Sequence, residues 1–154
     1  MAYAVPRALV EAFYAAYATR DAVKIAAFLD DDVEWTISGP VDYLRFCGTH
    51  RGKAAVLDLI GQQVPAVLRV SSFVADAILV DGDRVATLSR QTSRRAVDGR
   101  VISYRVANFM RFRDGRLVEN LSLLDSFDAV EQVLGRPLAV RDGALVDRGN
   151  LVAV

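Results

Sequence analysis

The chain has 154 residues, 53% of them hydrophobic and 25% charged, with 19 basic and 19 acidic side chains. That suits one domain with a sizeable core, and no apolar run reaches the roughly 18–20 residues of a membrane span. The first residues lack the charged-then-apolar layout of a signal peptide, and the single cysteine, Cys47, excludes an internal disulfide framework, so a cytoplasmic protein is expected.

Pro6 stands where a first helical residue belongs. Leu9, Phe13, Ala16 and Tyr17 follow at helical spacing to about Ala18. Asp21 can cap a second, shorter helix holding Val23, Ile25 and Phe28. Acidic groups are unfavourable at a helix C-terminus, which places Asp30-Asp31-Asp32 in a turn beyond it. Val33, Trp35 and Ile37 then alternate with Glu34, Thr36 and Ser38, a strand with one buried face. A loop containing Tyr43, Phe46 and Cys47 follows Gly39-Pro40. A third helix begins after Gly52, groups Val56, Leu59, Ile60, Gln63 and Val64 on one face, and has its regular part bounded by Pro65.

Beyond Leu68 the pattern is β, with strands at about 70–80, 84–97, 100–113 and 116–124. Asp81-Gly82, Asp98-Gly99 and Asp114-Gly115 separate them, and Asp-Gly is a strong hairpin signal. Phe127, Val130 and Leu134 form a short closing helix that Gly135 can terminate. Residues 1–137 thus form one domain, and 138–154 are a tail, read as an added strand or a loose segment. The order predicts an α+β fold, three N-terminal helices packed on a strongly curved antiparallel or mixed sheet. An apolar pocket between helices and sheet fits that arrangement, with a homodimer covering the other sheet face.

Charge is unevenly spread. Residues 84–116 carry nine basic and two acidic groups between acidic flanks. Such a segment can attract an anion. No recognition motif accompanies it, so a solvated arginine-rich sheet face is expected and no nucleic-acid or membrane partner.

Residues 101–125 draw the eye to chemistry. Asn108 shares strand phase with Tyr104, Val106, Met110 and Phe112, and a polar group on an apolar face needs a partner. It reads either as a pocket hydrogen-bond donor or as an amide tied to backbone. Asp125 ends the last strand beside Leu121, Leu123, Leu124 and Phe127, a surround that would raise its pKa toward that of a general base. The same position suits a cap for the closing helix. Arg90 shares phase with Ala86, Leu88 and Thr92 and reads as a substrate-orienting group or as a surface arginine. Trp35, Ile37, Phe13, Tyr17, Tyr104 and Met110 are the expected pocket wall. Tyr14 and Tyr17 are expected chiefly to pack the helix. His50 has no second histidine or cysteine cluster, so no metal site is expected and His50 reads as a solvated or capping residue. Cys47 reads as a small loop hydrophobe.

Four stretches carry a family resemblance: Asp21 after the first helix, Phe28-Leu29-Asp30-Asp31-Asp32-Val33-Glu34-Trp35, Gly48-Thr49-His50-Arg51-Gly52, and Phe112-Arg113-Asp114-Gly115-Arg116-Leu117-Val118-Glu119. With the element order, they resemble the nuclear transport factor two-like superfamily over about residues 6–135. The chain looks most like its SnoaL-like and ketosteroid-isomerase-like members, and limonene epoxide hydrolase is a more distant relative. The resemblance implies a cone-like α+β fold, often a homodimer, with a small hydrophobic ligand and no cofactor.

It also implies positions. The isomerase base falls on Ile37 or Ser38, its tyrosine on Phe13, and its oxyanion acid on Asn108. None of these can do the isomerase's proton chemistry, so that mechanism is not expected. The acid-base aspartate of the cyclases and epoxide hydrolases falls on Asp125, and the hydrolase Arg-x-Asp on Arg90-Gln91-Thr92, where threonine replaces the acid. Two readings remain open: a cofactor-independent isomerase-, cyclase- or hydrolase-like enzyme using Asp125, Asn108 and Arg90, or a non-catalytic binding or dimerisation module.

Overall fold

A computed structural model describes residues 4–141, 144–146 and 151–153. Helix α1 (Arg7–Thr19) buries Val10, Phe13 and Ala16 at three-residue spacing against the sheet. Two bonds pin its start to the sheet: the Val5 amide donates to Gly82 O at 2.9 Å, and Arg7 Nη1 to Ile78 O at 3.1 Å. Asp21 caps α2 (Ala22–Ala26), accepting from the Val23 and Lys24 amides at 2.9 and 3.3 Å.

Strand β1 spans Leu29–Ser38, so the aspartate triplet lies in the strand and not in a turn before it. A register irregularity between Leu29 and Glu34 lets these acids stay outside the core. Arg113 pairs with Asp30 at 3.2 Å and Lys53 with Asp31 at 2.6 Å. The Asp32 amide and Arg113 hold the Asp30 carboxyl below its usual range, and Lys53 does the same for Asp31. The next loop returns through β2 (Gly48–Arg51), a strand too short to show a pattern in sequence.

Pro65 does not end the third helical stretch. Helix α3 (Lys53–Asp58) widens into a π-helical turn over Leu59–Gln63 and continues as α4 (Val64–Val67). Pro65 falls in the first turn after the widening.

The main sheet has the order β2-β1-β6-β5-β4-β3, with β3 Leu68–Asp81, β4 Arg84–Arg95, β5 Val101–Arg113 and β6 Arg116–Leu124. Only β1 and β6 pair in parallel, so this curved, unclosed sheet is mixed. Asp114 (φ 51°) and Gly115 (φ 76°) are both left-handed, as a two-residue hairpin between right-twisted strands requires. Helix α5 (Ser126–Leu134) closes the domain and ends at Gly135. Gly135 has φ 74°, a left-handed conformation that disfavours a side chain, and a Cβ there would make the Arg95 guanidinium, 2.7 Å away, shift.

The strand faces depart from an apolar-inside rule. Strand β4 turns Thr87, Ser89, Gln91 and Ser93 inward with Val85, while Leu88 and Arg90 are exposed. Strand β6 buries Asn120 and Ser122 and exposes Leu123. Beyond α5, β7 (Ala139–Arg141), β8 (Ala144–Val146) and β9 (Leu151–Ala153) pair with one another as a separate three-stranded sheet. The tail is thus not a strand added to the main sheet. Residues 142–143 and 147–150 lie outside the described residues. No helix among the described residues is long and apolar enough to cross a membrane.

Candidate functional site

Sheet register builds the site. Antiparallel and parallel pairing place Thr87, Asn108, Ser122 and Ile37 in one row across β4, β5, β6 and β1. The adjoining row is Val85, Met110, Asn120 and Trp35. Helix α1 lies over these rows, and a cavity of about 40 Å³ remains between them. That is room for a few water-sized groups. Phe13, Tyr17, Trp35, Ile37, Tyr104 and Met110 are in its wall. The aromatic part is continuous: Tyr17 stacks on Trp35 at 5.9 Å and meets Phe73 edge-on at 5.1 Å, and Phe73 stacks on Tyr14 at 5.6 Å.

Polar groups gather on the sheet side. Ser122 Oγ donates to Asn108 Oδ1 at 2.6 Å, which fixes the amide with its nitrogen toward α1. Asn108 Nδ2 then faces Tyr14 Oη at 3.3 Å and Thr87 Oγ1 at 3.5 Å, and the two hydroxyls lie 2.5 Å apart. Asn108 is therefore held by side chains, not by backbone. Asn120 Nδ2 donates to Ser122 Oγ at 2.9 Å, and Gln91 Nε2 to Tyr104 Oη at 2.8 Å. Burial pushes the Tyr14 hydroxyl up to about 12, against the pull of its bonds to Thr87 and Asn108. Two buried atoms in this wall have no protein partner, the donor Trp35 Nε1 and the acceptor Asn120 Oδ1. They belong to residues paired across β1 and β6.

Asp125 and Arg90 do not join Asn108 at the cavity. Asp125 is exposed at the N-terminus of α5, where its carboxylate faces the Asp128 amide at 3.5 Å. Arg90 points outward from β4, between Val74 and Arg105 on the neighbouring strands. Leu124 is the last β6 side chain facing in.

His50 is half-buried and caps no helix. Its Nε2 lies 3.1 Å from Phe46 O and so braces the loop that brings Phe46 to the cavity. Cys47 is buried in that loop, which pushes its thiol up to about 11. Its Sγ would stand 2.7 Å from a Cβ on Gly39, so residue 39 must be glycine for the loop to close this way. Among the described residues no group of three or more His, Cys, Asp or Glu is placed to hold a metal.

Tyr14, expected chiefly to pack the helix, also lines the cavity, and sequence reasoning passed over Phe73, Gln91, Asn120 and Ser122 as wall residues. The one available signal was the run of inward polar residues at period two in β4, which reads from sequence as a solvated face.

A cone of helices over a curved six-stranded sheet, enclosing a cavity at its centre, defines the class. The chain belongs to the SnoaL-like domain family, whose model matches residues 10–120, and so to the nuclear transport factor two-like superfamily. A crystal structure of a candidate isomerase from Rhodopseudomonas palustris is similar, with 34% identity, 83% of this chain and 97% of that chain covered, and a TM-score of 0.76. TerC co-crystallised with polyporic acid shares the fold at 22% identity, covering 82% and 95%, with a TM-score of 0.71. A protein with a ketosteroid isomerase-like fold from Catenulispora acidiphila, in complex with trimethylamine, does so at 14% identity, 86% and 96%, and a TM-score of 0.69. No curated protein matches the chain.

Proposed function

We propose that this SnoaL-like domain binds a small, mainly hydrophobic molecule between α1 and the sheet. The observation that carries the reading is the unpaired donor and acceptor, Trp35 Nε1 and Asn120 Oδ1, in an otherwise aromatic wall. A buried polar group without a partner costs roughly 1–3 kcal/mol, and a ligand bearing an amide would satisfy both, its carbonyl accepting from Trp35 Nε1 and its N–H donating to Asn120 Oδ1. The small free volume requires the wall to give way. Phe73 is the side chain best placed to move, because it sits on edge strand β3 between two register irregularities, at Val70/Ser72 and Ala75/Ala77. TerC, on the same fold, was co-crystallised with polyporic acid, which is consistent with a ligand-binding role.

Benzamide tests the reading, followed by calorimetry and by the emission of Trp35, the chain's one tryptophan. Saturable binding is expected. Asn108→Leu, which removes the amide that orders the polar cluster, should weaken it at least tenfold. Asp125→Ala should leave it unchanged and cost only the helix cap, about 1 kcal/mol in urea unfolding. Absence of binding, or equal affinity in Asn108→Leu, would rule the reading out.

One observation favours a catalytic version. Tyr14 Oη accepts from Asn108 Nδ2 at 3.3 Å, and a hydroxyl that accepts such a bond is a stronger donor toward a carbonyl oxygen. Cofactor-free isomerisation, cyclisation or epoxide-type hydrolysis would then need Asp125 as base and Arg90 as orienting group, and both would have to turn inward.

The partner proposed for the outer sheet face is a second copy of the chain. Register joins Ala86, Phe109 and Leu121 in one outward row and Leu88, Ala107 and Leu123 in the next. Leu88, Phe109 and Leu123 are 39%, 52% and 42% exposed, an apolar patch that water disfavours. Sedimentation is expected to give the mass of two chains, and Phe109→Asp that of one.

A further inference from the structure

Arg20 follows α1 in the left-handed conformation, at φ 57°. Its Nε, Nη1 and Nη2 are all buried, and none has a hydrogen-bond partner. Among the described residues no carboxylate pairs with it. A guanidinium is always charged and carries five N–H donors. Enclosing it unpaired is among the most costly arrangements a small domain can hold. Its one visible compensation is the Tyr17 ring, whose centre lies 4.1 Å from Cζ, and a cation–π contact offsets only part of that cost.

The position of this charge gives it a use. Tyr17 lines the cavity and stacks on Trp35. Tyr104, also in the wall, has its hydroxyl pKa raised by burial, while the charge of Arg20 pulls the other way, so the guanidinium lies within electrostatic reach of that hydroxyl. The wall itself contains no lysine, arginine or histidine. One buried cation beside an aromatic cavity matches one negative charge, and a planar fork of N–H groups matches a carboxylate.

We infer that Arg20 is the anion-recognising residue of the cavity, and that the occupant is a small aromatic or alicyclic carboxylate. This rests on the ligand-binding reading above. Arg20 lies behind the Tyr17 ring and not in the wall, so the carboxylate reaches the guanidinium by displacing that ring, and a hydrogen-bonding substituent at the other end of the occupant faces Trp35 Nε1 and Asn120 Oδ1. The basic segment 84–116 is not needed for this recognition, since its Arg90 points outward.

Benzoate and benzamide have nearly the same shape and differ by a charge, so the pair isolates the role of Arg20. Their affinities are to be measured by calorimetry at pH 7.5, with Trp35 emission as a second readout. Benzoate should bind at least tenfold more tightly. Arg20→Gln should bring the two within about twofold of each other without weakening benzamide. Arg20→Lys, which keeps the charge and loses the fork, should retain part of the preference. Equal affinities in the unaltered protein, or a preference that survives Arg20→Gln, would overturn the assignment and leave the pocket standing. Binding of neither probe would overturn both. Should Arg20→Gln fail to fold, the comparison in the unaltered protein and in Arg20→Lys decides.

Discussion

Phe13→Ala is expected to lower stability by about 3–5 kcal/mol, the range for deleting a buried phenylalanine. The ring is 1% exposed and lies at the centre of the aromatic cluster. It contacts Tyr14 at 5.4 Å, Tyr17 and Phe28 at 6.0 Å, Phe112 at 6.4 Å and Trp35 at 6.5 Å. Those neighbours come from α1, β1, β5 and the turn before β1. No single one can collapse into the space without leaving another unsupported. The denaturant midpoint should fall with an unchanged m-value. A loss below about 1 kcal/mol would mean that the aromatic layer repacks freely and that α1 is not held by it.

The second large effect lies at alkaline pH. Tyr14 titrates at about 12 in the folded protein against its ordinary 10.0, because burial disfavours the phenolate. A raised pKa means that the folded state keeps its proton while the unfolded chain gives it up. The stabilisation is therefore complete below pH 10 and is lost as the pH climbs from 10 to about 12. In that window stability should fall by about 1.4 kcal/mol per pH unit from this residue alone. Tyr104 is shifted in the same direction by its own burial, so the alkaline limb carries both. Tyr14→Phe should flatten the limb by one proton's slope, measured as urea unfolding at a series of pH values. Near neutral pH the same variant should be about 1–3 kcal/mol less stable, since Asn108 Nδ2 and Thr87 Oγ1 lose their shared partner. An unchanged alkaline slope would show that Tyr14 ionises without hindrance and that its site is open to water.

How far the site was legible follows from strand phase. Asn108 and its neighbours on β5 alternate without interruption, so their inward face could be read directly. On β6 the same counting fails. A two-residue turn at Asp114-Gly115 pairs Arg113 with Arg116, and continuing without a break would place Asn108 opposite Leu121. The register shifts by one residue between Arg111 and Phe112, and Asn108 meets Ser122 instead. Leu117 and Val118, both buried, mark the place where the alternation slips. Asp125 looked like a pocket carboxylate because Leu121 and Leu123 were taken as its surround, and the shift turns both away from the cavity.

Helix α1 is harder to read for a different reason. Phe13 and Tyr14 are about 100° apart around the helix. The buried arc of a helix is itself at least about that wide. Phe13 fills the middle of the core, and Tyr14 reaches from its flank to β4.

The shifted register in β6 also bears on how such a domain can change. Strand side chains alternate, so one residue gained or lost reverses every position beyond it. The slip in β6 can absorb such a loss. Taking out its extra residue, Val118, would leave Leu117 in, Glu119 out, Asn120 in and Ser122 in, with Asn120 still opposite Met110 and Ser122 still opposite Asn108. A deletion anywhere else in the strand has no such slack and would exchange the polar floor for Leu121 and Leu123. The joint is therefore the one place in β6 where the chain can shorten by a codon and keep its cavity.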